Sequence, residues 1–158
     1  MKGKVILGVG LAVVAMSVVA VLAVSGPAAL YNAQAQVVDE VLPEDAVNGF
    51  YAWYLGAIDL QAGRNPLVDR AYRSSVFLSD DFVAEVDGLL DSFERGGYDP
   101  FLLAQDVPVK IVVGEATLTG DGASVAVEMF WGGNPTPSER TVALRLVDGE
   151  WKITGVSC

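Results

Sequence analysis

The sequence predicts an α+β domain, with helices from its first half laid against an antiparallel sheet built from its second half. Three observations predict it. Apolar residues recur at three- and four-residue spacing up to Phe93, and from Val109 onward they alternate with a period of two. Between the two regimes lies a compact run, Gly96-Gly97-Tyr98-Asp99-Pro100-Phe101-Leu102-Leu103-Ala104-Gln105-Asp106-Val107-Pro108. It packs turn formers, two carboxylates, an amide and apolar residues together. Finally, Asp148-Gly149, a strong hairpin signal, separates the last two alternating stretches. Helices followed by a strand meander make a layered domain, and a chain of 158 residues holds one such domain comfortably.

In chain order, Met1-Lys2-Gly3-Lys4 is a basic head, and Val5 to Val24 follows without a charge. As a helix that stretch would rise about 30 Å, the thickness of a membrane's hydrocarbon layer. Two readings of residues 1–35 stand. One is a signal peptide cleaved after Ala33-Gln34-Ala35, giving a secreted protein. The other is an uncleaved signal anchor whose apolar segment 5–24 is a transmembrane helix. The basic head precedes the apolar segment and Asp39-Glu40 follow it, so the positive-inside rule puts the folded part outside the cytoplasm, at the cell envelope. Residues 36–42 form a tether, and 43–158 the single domain.

Pro43 opens the first helix, with Glu44 and Asp45 where the helix dipole favours carboxylates. Val47, Phe50, Tyr51, Tyr54 and Ile58 form its apolar face, and the helix is expected to run to about Leu60. Gly49 and Gly56 weaken it unless another element packs close. Gly63-Arg64-Asn65-Pro66 breaks the chain, and Leu67 to Tyr72 reads as a short helix. Ser79 is the expected N-cap of the next helix, whose inward face is Phe82, Val83, Val86, Leu89, Leu90 and Phe93. An Asp91–Arg95 pair would support its last turn. Four strands follow: Val109 to Thr119, Ala123 to Trp131, Thr141 to Val147 and Glu150 to Ser157. They are separated by the Gly120-Asp121-Gly122 turn, a Gly/Asn/Pro loop at 132–139, and Asp148-Gly149.

The chemistry is bounded by what the chain lacks. It has no histidine, and Cys158 is its one cysteine, which excludes Ser-His-Asp and Cys-His catalysis, histidine metal sites and any internal disulfide. No cofactor or metal site is expected. All twenty carboxylates lie after residue 35, against two lysines and six arginines there, so that part carries about −12 and nucleic acid is excluded as a partner. Acid–base work would fall to Asp99, Asp106, Glu115 and Glu128, with Tyr98 as a phenolic donor, and Glu115 and Glu128 could face each other across a hairpin. Trp131, followed by an open loop, could offer rigid contact area. The candidate contact residues for a ligand or partner are therefore Tyr98, Asp99, Gln105, Asp106, Glu128 and Trp131. The run's first task is read as holding the junction between helices and sheet.

Phe50-Tyr51-Ala52-Trp53-Tyr54-Leu55, Tyr72-Arg73-Ser74-Ser75, Leu78-Ser79-Asp80-Asp81-Phe82, the Asp99–Pro108 segment and the closing Asp148-Gly149-Glu150-Trp151-Lys152-Ile153 resemble the DUF3828 family of bacterial proteins. The resemblance implies an NTF2-like, cystatin-like fold, in which N-terminal helices pack on a curved antiparallel sheet and enclose a conical pocket. That family pattern has cysteine where this chain has Leu103, so no thiol role is carried over.

Together these readings point first to an extracytoplasmic binding or accessory domain with a small pocket for an unknown ligand or envelope protein, rather than to an enzyme. Two alternatives remain. One is a protein-interaction or structural module without a small ligand. The other is a histidine-free lyase or isomerase using carboxylate and tyrosine. An exposed sheet edge could also make a homodimer.

Overall fold

The computed structural model describes residues 41–93 and 97–158. Helix α1 spans Pro43–Ala57, and Pro43 occupies its first turn, where the missing N–H costs nothing. The Asp45 carboxylate accepts the Leu42 N–H at 3.2 Å and so ties off the N-terminus. Its buried residues are Pro43, Ala46, Val47, Phe50, Tyr51 and Tyr54, a stripe at helical spacing. Gly49 is the close approach anticipated from the sequence: a Cβ there would lie 2.7 Å from the Phe77 ring. The helix stops at Ala57, short of Leu60, because Ile58 turns extended.

The expected helix from Leu67 to Tyr72 is replaced by turns and a 3₁₀ segment, Ala71–Ser74. Arg70 adopts a left-handed backbone (φ 53°), which breaks any continuous helix at that point. Helix α2 spans Asp80–Ser92, and the Ser79 hydroxyl accepts the Phe82 N–H at 3.3 Å as its N-cap. Asp91 pairs with Arg70 at 2.5 Å, whereas Arg95, its expected partner, lies outside the described residues.

Strands β1 (Lys110–Thr119), β2 (Gly122–Phe130), β3 (Ser138–Val147) and β4 (Glu150–Ser157) form one antiparallel sheet in the order β1-β2-β3-β4. Both short turns stand where the sequence places them. Asp148 (φ 52°) and Gly149 (φ 84°) are both left-handed, as the primed hairpin turn between β3 and β4 requires. Strand β3 starts three residues earlier than expected, because Ser138, Glu139 and Arg140 pair with Met129, Glu128 and Val127. Ladder pairing overrides their polar character.

Ala123, Val125, Val127 and Met129 of β2, Val142 and Leu144 of β3 and Ile153 of β4 form the inner face, against which α1 and α2 lie. The expected cone is not what these strands build. Four strands in sequential order make an open sheet with two edges, neither closed nor strongly curved. The physical reason lies in the filling. Phe50, Tyr54, Tyr72, Phe82 and Phe101 pack ring to ring at centroid separations of 5.2–5.8 Å between helices and sheet, so the interior is solid where a cone would be hollow. Main-chain bonds from Ser79 N–H to the Ile153 carbonyl and from Ile153 N–H to the Phe77 carbonyl then cover the β4 edge at its middle.

Among the described residues no helix is long and apolar enough to cross a membrane, so no described element is a transmembrane helix. The segment 5–24 and the rest of residues 1–40 lie outside the described residues.

Candidate functional site: the junction between helices and sheet

The junction run folds as a tight loop around one carboxylate. Asp99 Oδ1 accepts the Phe101 N–H at 2.8 Å and the Leu102 N–H at 3.3 Å, while Oδ2 accepts the Tyr54 hydroxyl at 2.6 Å. The Asp99 main chain pairs with Ala104 (N–H to carbonyl, 2.8 Å), and its carbonyl accepts the Leu103 N–H at 2.7 Å. Leu103 closes the loop in a left-handed conformation (φ 49°). Phe101 and Leu102 are thereby driven into the core, and the Tyr51 hydroxyl donates to the Phe101 carbonyl at 2.9 Å.

Burial raises the Asp99 carboxyl above the ordinary aspartate range; the bonds from Tyr54, Phe101 and Leu102 pull the other way without cancelling it. Burial, followed by the Asp99 charge, holds both the Tyr54 and Tyr51 hydroxyls well above the ordinary tyrosine range.

The sheet grips the loop from the other side. Arg140 Nε donates to the Leu102 carbonyl at 3.1 Å and a terminal nitrogen to the Leu103 carbonyl at 3.3 Å. The same guanidinium lies 5.8 Å from the centre of the Trp131 ring, and Trp131 Nε1 donates to the Asp106 carbonyl at 3.2 Å. Sequence reasoning missed Arg140 because it stood at the edge of a loop too rich in glycine and proline to read as strand. A signal existed: extending the alternation of Leu144 and Val142 back by two places Arg140 on the inner face, where a cation must find acceptors.

A cleft of about 220 Å³ opens beside this junction, at the C-terminal end of α2. Tyr98, Asp99, Gln105 and Asp106 line it, so four of the six candidate contact residues come together. Glu128 and Trp131 are not in its lining. Glu128 stands on the outer face of the sheet, opposite Val112 in β1 and Glu139 in β3. Glu115 and Glu128, which could have faced each other across the hairpin, are not paired, since Glu115 falls at the irregularity between Val113 and Ala116. Trp131 reaches the loop through its bond to the Asp106 carbonyl.

A second polar cluster ties the 3₁₀ segment to α2. Asp87 accepts the Tyr72 hydroxyl, Arg73 Nε at 2.9 Å and Arg70 at 3.1 Å. The Arg73 and Tyr72 bonds hold its carboxyl below the ordinary range. Every charge in it is answered within the chain.

With this geometry, the chain is similar to a chain in the crystal structure of the type VI native effector–immunity complex Tae3–Tai3 from Ralstonia pickettii. The TM-score is 0.58 and the identity 28%, over 73% of this chain and 94% of that one. The selenomethionine form of the complex matches with a TM-score of 0.54 and 27% identity over the same shares. No family model matches the chain, and no curated protein matches it.

These findings correct three expectations. The resemblance to the DUF3828 family within the NTF2-like group is not upheld; the likeness is to a chain of an effector–immunity complex. The binding or accessory domain built around a small-ligand pocket gives way as well, because the matched chain was solved in a protein–protein complex. The weighting against enzymatic activity is overturned too: an effector–immunity likeness brings catalysis into consideration, and the Tyr54–Asp99 couple is chemically able to hold and pass a proton.

Proposed function

We propose that this chain is the immunity-type member of an effector–immunity pair, an exported domain that acts by binding one specific protein partner outside the cytoplasm. The observation that carries the reading is the match, at 28% identity, to 94% of a chain from an effector–immunity complex. Three features support it. An interior packed with rings is consistent with recognition at the outer surface. The charge of about −12 after residue 35 favours a partner with basic groups. The basic head and apolar segment at residues 1–24 fit a leader that directs export.

The test is reconstitution. The exported protein, tagged and purified, is used to capture partners from the exported fraction of its source. Each captured protein is then produced alone and recombined with it. A stoichiometric complex, together with relief of growth arrest when the captured protein is exported alongside this chain, is the expected result. Failure of any captured protein to form a complex from purified parts, or arrest that persists despite complex formation, refutes the reading.

The Tyr54–Asp99 couple carries a second reading, proton transfer at the cleft it borders, since burial moves Asp99 toward the range of a working base. Under this reading, export of the chain by itself would impair growth and Asp99→Asn would remove the impairment. Under the first, the chain by itself is harmless.

A further inference from the structure

We propose that the junction cleft is the recognition point for the partner, and that it receives a single arginine side chain from that protein. The inference rests on the immunity-type reading above and names the surface and the chemistry through which it works.

Size comes first. About 220 Å³ is below the range of roughly 300–1,000 Å³ typical of small-molecule sites, and it suits one long side chain. The lining is divided in kind. Leu67, Leu90 and Leu102 supply apolar wall, suited to the methylene stem of a long side chain, while Gln105 and Asp106 supply acceptor oxygens for its head and Asp99 adds negative charge. Among the described residues the lining contains two carboxylates and no lysine or arginine, so the only charge it complements is positive. Gln105 and Asp106 are exposed, and among the described residues their side chains make no hydrogen bond within the chain.

The choice of arginine over lysine follows from the acceptors. Asp99 is already engaged by three donors and can add only electrostatic attraction, so the bonds must come from the neighbouring Gln105 and Asp106 oxygens. A planar fork matches such a set better than a point charge does. Tyr98, 41% exposed and tilted by 58° against the Phe93 ring at 5.8 Å, gives an aromatic face at the rim for a guanidinium to lie against. Arginine seated among such groups is a common anchor of protein interfaces.

Two measurements test the proposal. In the first, N-acetyl-arginine amide is titrated into the purified exported protein while amide resonances are followed, with N-acetyl-citrulline amide as the uncharged match. Shifts centred on Tyr98, Gln105 and Asp106 are expected with the arginine compound. They should be absent with citrulline and lost in Asp106→Lys, an exposed change whose folding is checked by an unaltered thermal midpoint. Equal shifts with both compounds, or shifts elsewhere, overturn the proposal. In the second, the reconstituted complex is measured with Asp106→Lys and with Glu139→Gln on the outer sheet face. A loss of a hundredfold or more in affinity for the first and less than twofold for the second is expected. A complex unaffected by Asp106→Lys overturns the cleft and leaves the immunity reading standing. If no complex forms with the unaltered chain, the immunity reading falls, and the titration alone still decides what the cleft accepts.

Discussion

Asp99→Ala isolates what the junction contributes to the fold. The substitution removes both acceptor oxygens from the Tyr54 hydroxyl, the Phe101 N–H and the Leu102 N–H, at 2.6, 2.8 and 3.3 Å. The Leu102 N–H keeps a second acceptor, the Asp99 carbonyl at 3.2 Å, so two donors are orphaned. A buried group left unsatisfied costs about 1–3 kcal/mol. Removing a desolvated charge returns part of this. A net loss of about 3 kcal/mol is expected, a large share of the roughly 5–15 kcal/mol typical of a whole domain. Asp99→Asn keeps an oxygen for the two main-chain donors and turns an amide toward Tyr54, whose oxygen can accept; it should cost about 1 kcal/mol. Urea unfolding followed by tryptophan fluorescence reads both, with slopes unchanged from the parent protein. If the alanine variant lies within about 0.5 kcal/mol of the parent, or if both variants lose the same amount, the loop is not held by this carboxylate and the reasoning fails.

Three further outcomes are expected. Arg140→Met should destabilise by about 1–3 kcal/mol, because it strips a charged donor from the Leu102 and Leu103 carbonyls, and Arg140→Lys should recover only part of this in the same unfolding assay. Gly56→Ala should stabilise by up to about 1 kcal/mol, since a Cβ there meets nothing within 4 Å, whereas Gly49→Ala should lose that gain against the Phe77 ring; thermal midpoints compare the two directly. Stability against pH should bend in opposite senses for two aspartates. Asp99, raised in the folded state, contributes stability present below the ordinary value of about 3.9 and lost as pH rises through its folded value, while Asp87, lowered, contributes stability present above that value and lost as pH falls through its own. Asp99→Asn should flatten the first trend and Asp87→Asn the second, and the absence of either change in unfolding curves collected from pH 2 to 7 would reject the corresponding assignment.

What could be read in the sequence was what local chemistry decides. The Pro43 start, the Ser79 cap, the two-residue turns and the buried alternation of Val125, Val127 and Met129 all follow from backbone preferences or periodicity, and all appear in the fold. The misses are contacts between segments distant in the chain. Nothing local reveals that Arg70 will turn left-handed and pair with Asp87 and Asp91, or that Arg140 will join the sheet and reach back to Leu102. The cone failed for a related reason. Residue types along four strands do not state whether the space beneath them is empty, and here Phe101, sent inward by the junction loop, fills it together with Tyr54, Tyr72 and Phe82.

The junction therefore divides its labour by direction. Asp99, Phe101 and Leu102 face the core and are fixed there by Tyr54, Tyr51 and Arg140. Tyr98, Gln105 and Asp106 stand on the same short loop but on its outer side, and the Trp131 bond to the Asp106 carbonyl holds that side in place. If the outer side receives the partner as proposed, side chains presented from a loop already ordered would lose little freedom on binding, and the bonds that stabilise the fold would also lower the entropic cost of recognition. Stability and recognition should then respond to different substitutions within thirteen consecutive residues: changes at Asp99 act on unfolding, and changes at Asp106 act on the complex. A loop kept only for folding would give the outer residues no such separate effect.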